Sequence, residues 1–140
     1  MYYPDLSRYE YSSSEPHSAA FNIGWLDAAH PYPLGDVPHE FLERLWAYCC
    51  HPVYLSFGYH TCTLCGTELG VAFQRGNERR RFGSAEIRVV AGKVAYAAPN
   101  LIYHYVVDHR YCPPDEFVQA VMQQPLPPDL PEWQQLYADR

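Results

Sequence analysis

Gly58-Tyr59-His60-Thr61-Cys62-Thr63-Leu64-Cys65-Gly66 is the stretch on which the reading of this chain turns. Two cysteines three positions apart place both sulfurs on one metal ion when the turn between them is tight. A glycine after the second cysteine permits the positive φ that turns backbone N–H groups toward the sulfurs. His60 lies two residues ahead of Cys62 at the end of an expected strand, so alternation puts its side chain on the same side, as a third ligand. A redox pair of the thioredoxin kind sits at a helix N-terminus, whereas Thr67-Glu68-Leu69-Gly70-Val71 reads as a strand. The motif is therefore read as half of a zinc knuckle.

Structural zinc takes four ligands, so one must come from elsewhere. The segment Asn100 to Cys112 offers three candidates. His104 falls mid-helix among apolar residues, where a buried imidazole needs a partner. His109 lies near the helix end, where a cation also suits the helix dipole. Cys112 precedes two prolines. The ranking is His104, then His109, then Cys112, with water as the open alternative, and the expected Zn2+ set is His60, Cys62, Cys65 and His104. Cys49 falls on a helical stripe and reads as a core thiol. His51 is a weaker candidate, and His17, His30 and His39 lie in polar or turn contexts.

Working outward, Phe21, Ile23 and Trp25 alternate as a short strand within 21–26. Asp36 can cap a helix with Pro38 in its first turn. Phe41, Leu42, Leu45, Trp46 and Cys49 recur at three- and four-residue spacing, which predicts a helix over 38–50. Val53, Leu55 and Phe57 alternate, as do Leu69, Val71 and Phe73. Residues 84–97 read as a hairpin around Ala91-Gly92-Lys93, with Ile87 and Val89 facing away from Glu86 and Arg88. A second helix is expected to end at His109 after starting at Pro99 or Asn100. A third is expected over 113–123, where two prolines and two acids suit a helix N-terminus and Phe117, Val118 and Val121 face inward. The expected class is α+β: a small, largely antiparallel sheet with about three helices packed on it. An irregular strap (1–20) precedes the single zinc-stabilised domain (21–123), and a proline-rich tail (124–140) follows it, with at most a short helix near Glu132 to Tyr137.

Of the 140 residues, 48 % are hydrophobic, ample for one core, and 13 are tyrosines, a ring with a hydroxyl to satisfy and so suited to the margin of the core. A net charge of −6 argues against general nucleic-acid binding. Arg75 to Arg81 holds four arginines in seven residues and reads as a solvated loop between strands, or as a contact for an anion or acidic partner. No apolar run is long enough to cross a bilayer, and the start of the chain lacks a signal-peptide layout. A cytoplasmic protein with five unpaired cysteines is expected.

Two function classes follow. One is a binding or accessory module with structural zinc, meeting a protein partner in the manner of an immunity protein or antitoxin. The other is a zinc hydrolase or deaminase with an open metal position and Glu86 as general base. The His-x-Glu with Pro-Cys-x-x-Cys pattern of zinc deaminases and His-Glu-x-x-His are both absent, so a non-enzymatic module is preferred.

The sequence also resembles a set of small uncharacterised bacterial proteins. The resemblance rests on Gly24-Trp25-Leu26-Asp27, Phe41-Leu42-Glu43-Arg44-Leu45, His60-x-Cys62-x-x-Cys65 and Gly83-Ser84-Ala85-Glu86-Ile87-Arg88-Val89. It continues through Tyr96-Ala97-Ala98-Pro99-Asn100-Leu101-Ile102-Tyr103-His104-Tyr105-Val106 and His109-x-Tyr111-x-Pro113-Pro114-x-Glu116-Phe117, covering residues 21 to 122. That group is a domain of unknown function. The resemblance implies a bacterial, cytosolic zinc-binding domain and no reaction.

Overall fold

A computed structural model describes residues 2–9, 19–55 and 58–127. His17, Phe57 and the expected helix near Glu132 to Tyr137 lie outside the described residues.

The class is α+β. Strands β1 (Ala19–Asn22), β2 (Tyr54–Leu55), β3 (Val71–Arg75), β4 (Glu78–Phe82), β5 (Ala85–Ala91) and β6 (Val94–Pro99) accompany helices α1 (His39–Cys50), α2 (Ile102–His109) and α3 (Asp115–Gln123). Four strands form a sheet in the order β1-β6-β5-β2, and β3 and β4 form a separate two-stranded sheet. β6 and β2 run antiparallel to β5, while β1 runs parallel to β6, so the larger sheet is mixed. β5 and β6 are joined by the tight turn expected at Gly92-Lys93, with Ala91 paired to Val94.

One face of this sheet carries the main core. Ile87, Val89, Tyr96 and Ala98 pack with Phe41, Leu45 and Cys49 of α1 and Phe117 and Val121 of α3. The expected stripes on both helices are buried, with Leu42 and Val118 at the margins. Pro38, not Asp36, occupies the N-cap of α1 and makes no side-chain cap bond. Asp36 instead meets Arg110 at 3.3 Å.

The opposite face departs from the expected alternation. Arg88 is 1 % exposed and Val90 5 % exposed. The reason is the N-terminal strap, which lies across this face through bridges Tyr3–Trp25 and Arg8–Phe21. Its Tyr9 packs beside Ala20, Val90 and Ala95. The Arg88 guanidinium lies 4.3 Å from the Tyr9 ring centroid and 5.0 Å from that of Tyr54, and it pairs with Glu86 at 3.0 Å. A buried cation is tolerable only with such partners.

The arginine-rich segment is not a loop. Arg79, Arg80 and Arg81 lie on β4, paired with Gln74, Phe73 and Ala72. The connection is the two residues Gly76-Asn77, and Gly76 has φ +61°, the first-position conformation that a type II′ hairpin turn reserves for glycine. The hairpin docks through Phe73 and Phe82 against Trp46 of α1 and Tyr103 of α2, with ring centroids 5.0–6.4 Å apart. Arg79, Arg80 and Arg81 are exposed, while Arg75 lies over the Trp46 ring, 4.8 Å from its centroid.

Candidate metal centre

The segment between β2 and β3 carries the cysteine turn. The Gly66 N–H donates to the Cys62 carbonyl at 2.7 Å, and the Cys62 N–H donates to the Thr67 carbonyl at 3.0 Å, closing a tight knuckle with Gly66 at φ +75°. Backbone N–H groups of Leu64 and Cys65 point at the Cys62 sulfur, and that of Thr67 points at Cys65. No helix follows the motif; β3 does. The helix N-terminus that activates a thioredoxin-type pair is therefore not built here.

α2 supplies the other half. His104 lies one turn into the helix and is 4 % exposed. His109 is its last residue, and the helix stops at Arg110, which adopts φ +54° and returns its N–H to the Tyr105 carbonyl. The Tyr32 hydroxyl donates to the His109 carbonyl at 3.1 Å, fixing the same corner. Two of the three non-glycine residues with positive φ among the described residues, Leu69 and Arg110, flank this site, as strained backbone at functional positions commonly does.

Cys62, Cys65, His104 and His109 converge: one ligand atom from each lies within 4.8 Å of the others, a group that can hold a metal ion. Cys62 Sγ is 3.5 Å from His109 Nε2, Cys65 Sγ is 3.5 Å from His104 Nε2, and the two Nε2 atoms are 3.2 Å apart. Asp108 Oδ2 sits 2.7 Å from His104 Nδ1. A carboxylate only accepts, so Nδ1 is the donor and the Nε2 lone pair is free to face the cluster.

The two thiols differ. Burial pushes Cys62 up. Cys65, at the exposed edge, is brought down to about 7, first by the Thr67 hydroxyl at 3.2 Å and also by hydrogen bonds from the Thr67 N–H, His109 and Cys62. One sulfur is thus readily available as thiolate, the form that binds metals.

Of the expected set, Cys62, Cys65 and His104 are brought together, and His109 joins them. His60 does not. Residues 58–61 form no strand, so the alternation that put His60 beside Cys62 fails there. Its N–H is bonded to the Gly83 carbonyl at 2.9 Å and its carbonyl to the Gly70 N–H at 3.2 Å. His60 instead lines a neighbouring cavity, as Glu86 does. Cys112 lies apart, its sulfur 3.9 Å from the Pro113 carbonyl. Cys49 is a buried core thiol, held well above its ordinary range by burial. His51 caps α1 through the Ala47 carbonyl at 2.9 Å, His30 meets Asp27 at 2.6 Å, and His39 meets Glu43 at 3.4 Å. The spacing Cys-x2-Cys followed by His-x4-His falls within the ranges of two-cysteine, two-histidine sites, and that signal pointed to His109.

Fold and site together define a small α+β domain with a four-residue cysteine–histidine centre linking a knuckle to a helix. The chain belongs to the DUF7919 family, a domain of unknown function, whose model matches residues 1–122. The match takes in the N-terminal strap, which the resemblance seen in the sequence had left outside. No curated protein and no solved structure matches the chain. No helix among the described residues is long and apolar enough to cross a membrane.

Proposed function

We propose that this chain is a zinc-stapled recognition module, in which the metal is structural and the task is to bind a basic protein partner. The observation that carries the metal reading is the shape of the four-ligand cage. Zinc–sulfur bonds of about 2.3 Å and zinc–nitrogen bonds of about 2.0–2.1 Å at tetrahedral angles imply sulfur–nitrogen edges of about 3.6 Å and a nitrogen–nitrogen edge of about 3.3 Å. Two of the four sulfur–nitrogen distances here are 3.5 Å and the nitrogen–nitrogen distance is 3.2 Å, with all four ligand atoms within 4.8 Å of one another. Two thiolates and two imidazoles are also the donor set that zinc favours.

Four protein ligands close the coordination sphere, which supports a structural ion over a catalytic one. Glu86, the candidate base of a hydrolase, is held elsewhere: its Oε2 accepts from both Tyr9 and Arg88 at 3.0 Å. The metal instead joins the knuckle to α2 and so fixes the floor on which the β3–β4 hairpin rests. Recognition of a basic partner is supported by the net charge of −6, since complementary charge speeds association.

Metal analysis of chain purified without chelator tests the reading, with one zinc per chain expected. His109→Ala and His104→Ala should each lose the ion, while His60→Ala should keep it. Chelation should lower the melting temperature by about 10–15 °C, the equivalent of about 4 kcal/mol for zinc present at a thousand times its dissociation constant. A His60→Ala chain that folds without zinc, or a melting point indifferent to chelation, contradicts the proposal.

A further inference from the structure

A cavity of about 450 Å³ opens beside the metal centre, between the strap, the knuckle and α2. Its walls are aromatic: Tyr3, Tyr9, Trp25 and Tyr105 all line it. The Tyr3 and Trp25 rings stand at 87° with centroids 5.6 Å apart, forming two sides of a corner. A smaller recess of about 70 Å³ shares Trp25, His60 and Glu86 with it.

Two carboxylates, Asp27 and Glu86, line this wall, and no lysine or arginine among the described residues does. Glu86 uses Oε2 for Tyr9 and Arg88, and its Oε1 has no hydrogen-bond partner among the described residues. Asp27 uses Oδ1 for His30 and the Ala29 N–H, and its Oδ2 likewise has no partner among the described residues. Tyr105 is only 6 % exposed, lines the cavity, and its hydroxyl has no hydrogen-bond partner among the described residues. π faces at right angles with carboxylate oxygens at the margin suit a cation carried on an apolar stem.

We infer that this cavity binds an alkylammonium group, its stem against Trp25 and Tyr3 and its N–H groups directed to Glu86 Oε1 and the Tyr105 hydroxyl. The group can come from a free amine or from a lysine side chain on the basic partner proposed above; the lysine source rests on that proposal, the cavity chemistry does not. The stem and ring faces supply affinity, and the open oxygens supply the preference for positive charge.

The test uses zinc-loaded full-length chain, its metal content measured on the same sample. Titration with n-butylammonium, followed by the Trp25 indole N–H resonance, should give a saturable shift. Butyrate, of similar size and opposite charge, should bind about tenfold more weakly or not at all, as one unfavourable charge contact implies. An acetylated Gly-Lys-Gly amide peptide forms the second arm: stronger binding than the free amine assigns the lysine source, weaker binding assigns the free amine. Tyr105→Phe, which removes one unpartnered oxygen and leaves packing intact, should keep the fold and zinc and weaken n-butylammonium several-fold; Glu86→Gln should weaken it about tenfold. Zinc-loaded chain that binds neither cation, that binds butyrate equally well, or whose Tyr105→Phe and Glu86→Gln variants bind unchanged overturns the inference and leaves the structural-zinc reading standing.

Discussion

Asp108 is not one of the four clustered residues, yet its contact with Nδ1 decides which nitrogen His104 turns toward them. Its carboxylate is 47 % exposed and holds Nδ1 of a ring that is 5 % exposed, four residues back on the same helix. Without that acceptor the imidazole can take the other tautomer and rotate, at a cost to the metal. Asp108→Ala is therefore expected to lower zinc affinity by about 10–100-fold while leaving the helix intact; competition with a chromophoric chelator measures it, and an unchanged affinity would show that the ring is oriented by packing alone. At this scale the cysteines were legible because a turn of four residues is local. His104 was legible because an imidazole among apolar helix positions needs a partner. His60 was placed with the cysteines by assuming strand alternation through residues 58–61, where the chain forms no strand. His109 was ranked lower because its place at the helix end had a second explanation in the helix dipole, and nothing local separates the two readings.

Among the elements, helices α1 and α3 and the β5–β6 hairpin could be read from periodicity, since burial on one face imposes it. In the β3–β4 hairpin, β3 could be read from the alternation of Val71 and Phe73, but β4 could not, because Glu78 to Arg81 are all exposed and only Phe82 at its end is buried. Its signal was the Gly76-Asn77 pair at the turn. The junction of this hairpin with the knuckle is a close backbone approach. Gly70 has φ +73°, and a Cβ placed there would lie 2.4 Å from the Phe82 carbonyl oxygen. Gly83 faces it, with a Cβ there 2.9 Å from the Gly70 Cα. Strain and overlap against backbone add at Gly70, so Gly70→Ala should destabilise the chain by about 2–3 kcal/mol. Urea unfolding of zinc-loaded chain measures this, and a loss below that of an ordinary surface substitution would mean that the knuckle and hairpin are not rigidly joined.

Across the whole molecule, the strap turns a one-sided sheet into one covered on both faces, and composition alone does not show that. Tyrosines also lie further inward than the margin of the core: Tyr48, Tyr96, Tyr105 and Tyr111 are all buried, and the strap meets Tyr111 through Asp5. Burial pushes Tyr48 up to about 12, and burial followed by the Glu116 hydrogen bond does the same to Tyr96. Tyr9, Tyr105 and Tyr111 are raised further, each chiefly by burial, with Asp5 adding to Tyr111 through a hydroxyl-to-carboxylate bond of 2.7 Å. The sign follows from the neutral form being the one the fold favours. Below the unfolded-state value of about 10 both states hold the proton and the stabilisation is complete. As pH rises through 10 the unfolded chain ionises first, and stability falls continuously until the folded tyrosines titrate at about 12 or above. Melting temperature should therefore drop steeply above about pH 10, and most of the tyrosinate absorbance should appear together with the loss of helical circular dichroism. Tyrosines that ionise fully near 10 while the helical signal persists would mean that these rings are not shielded from water in the folded chain.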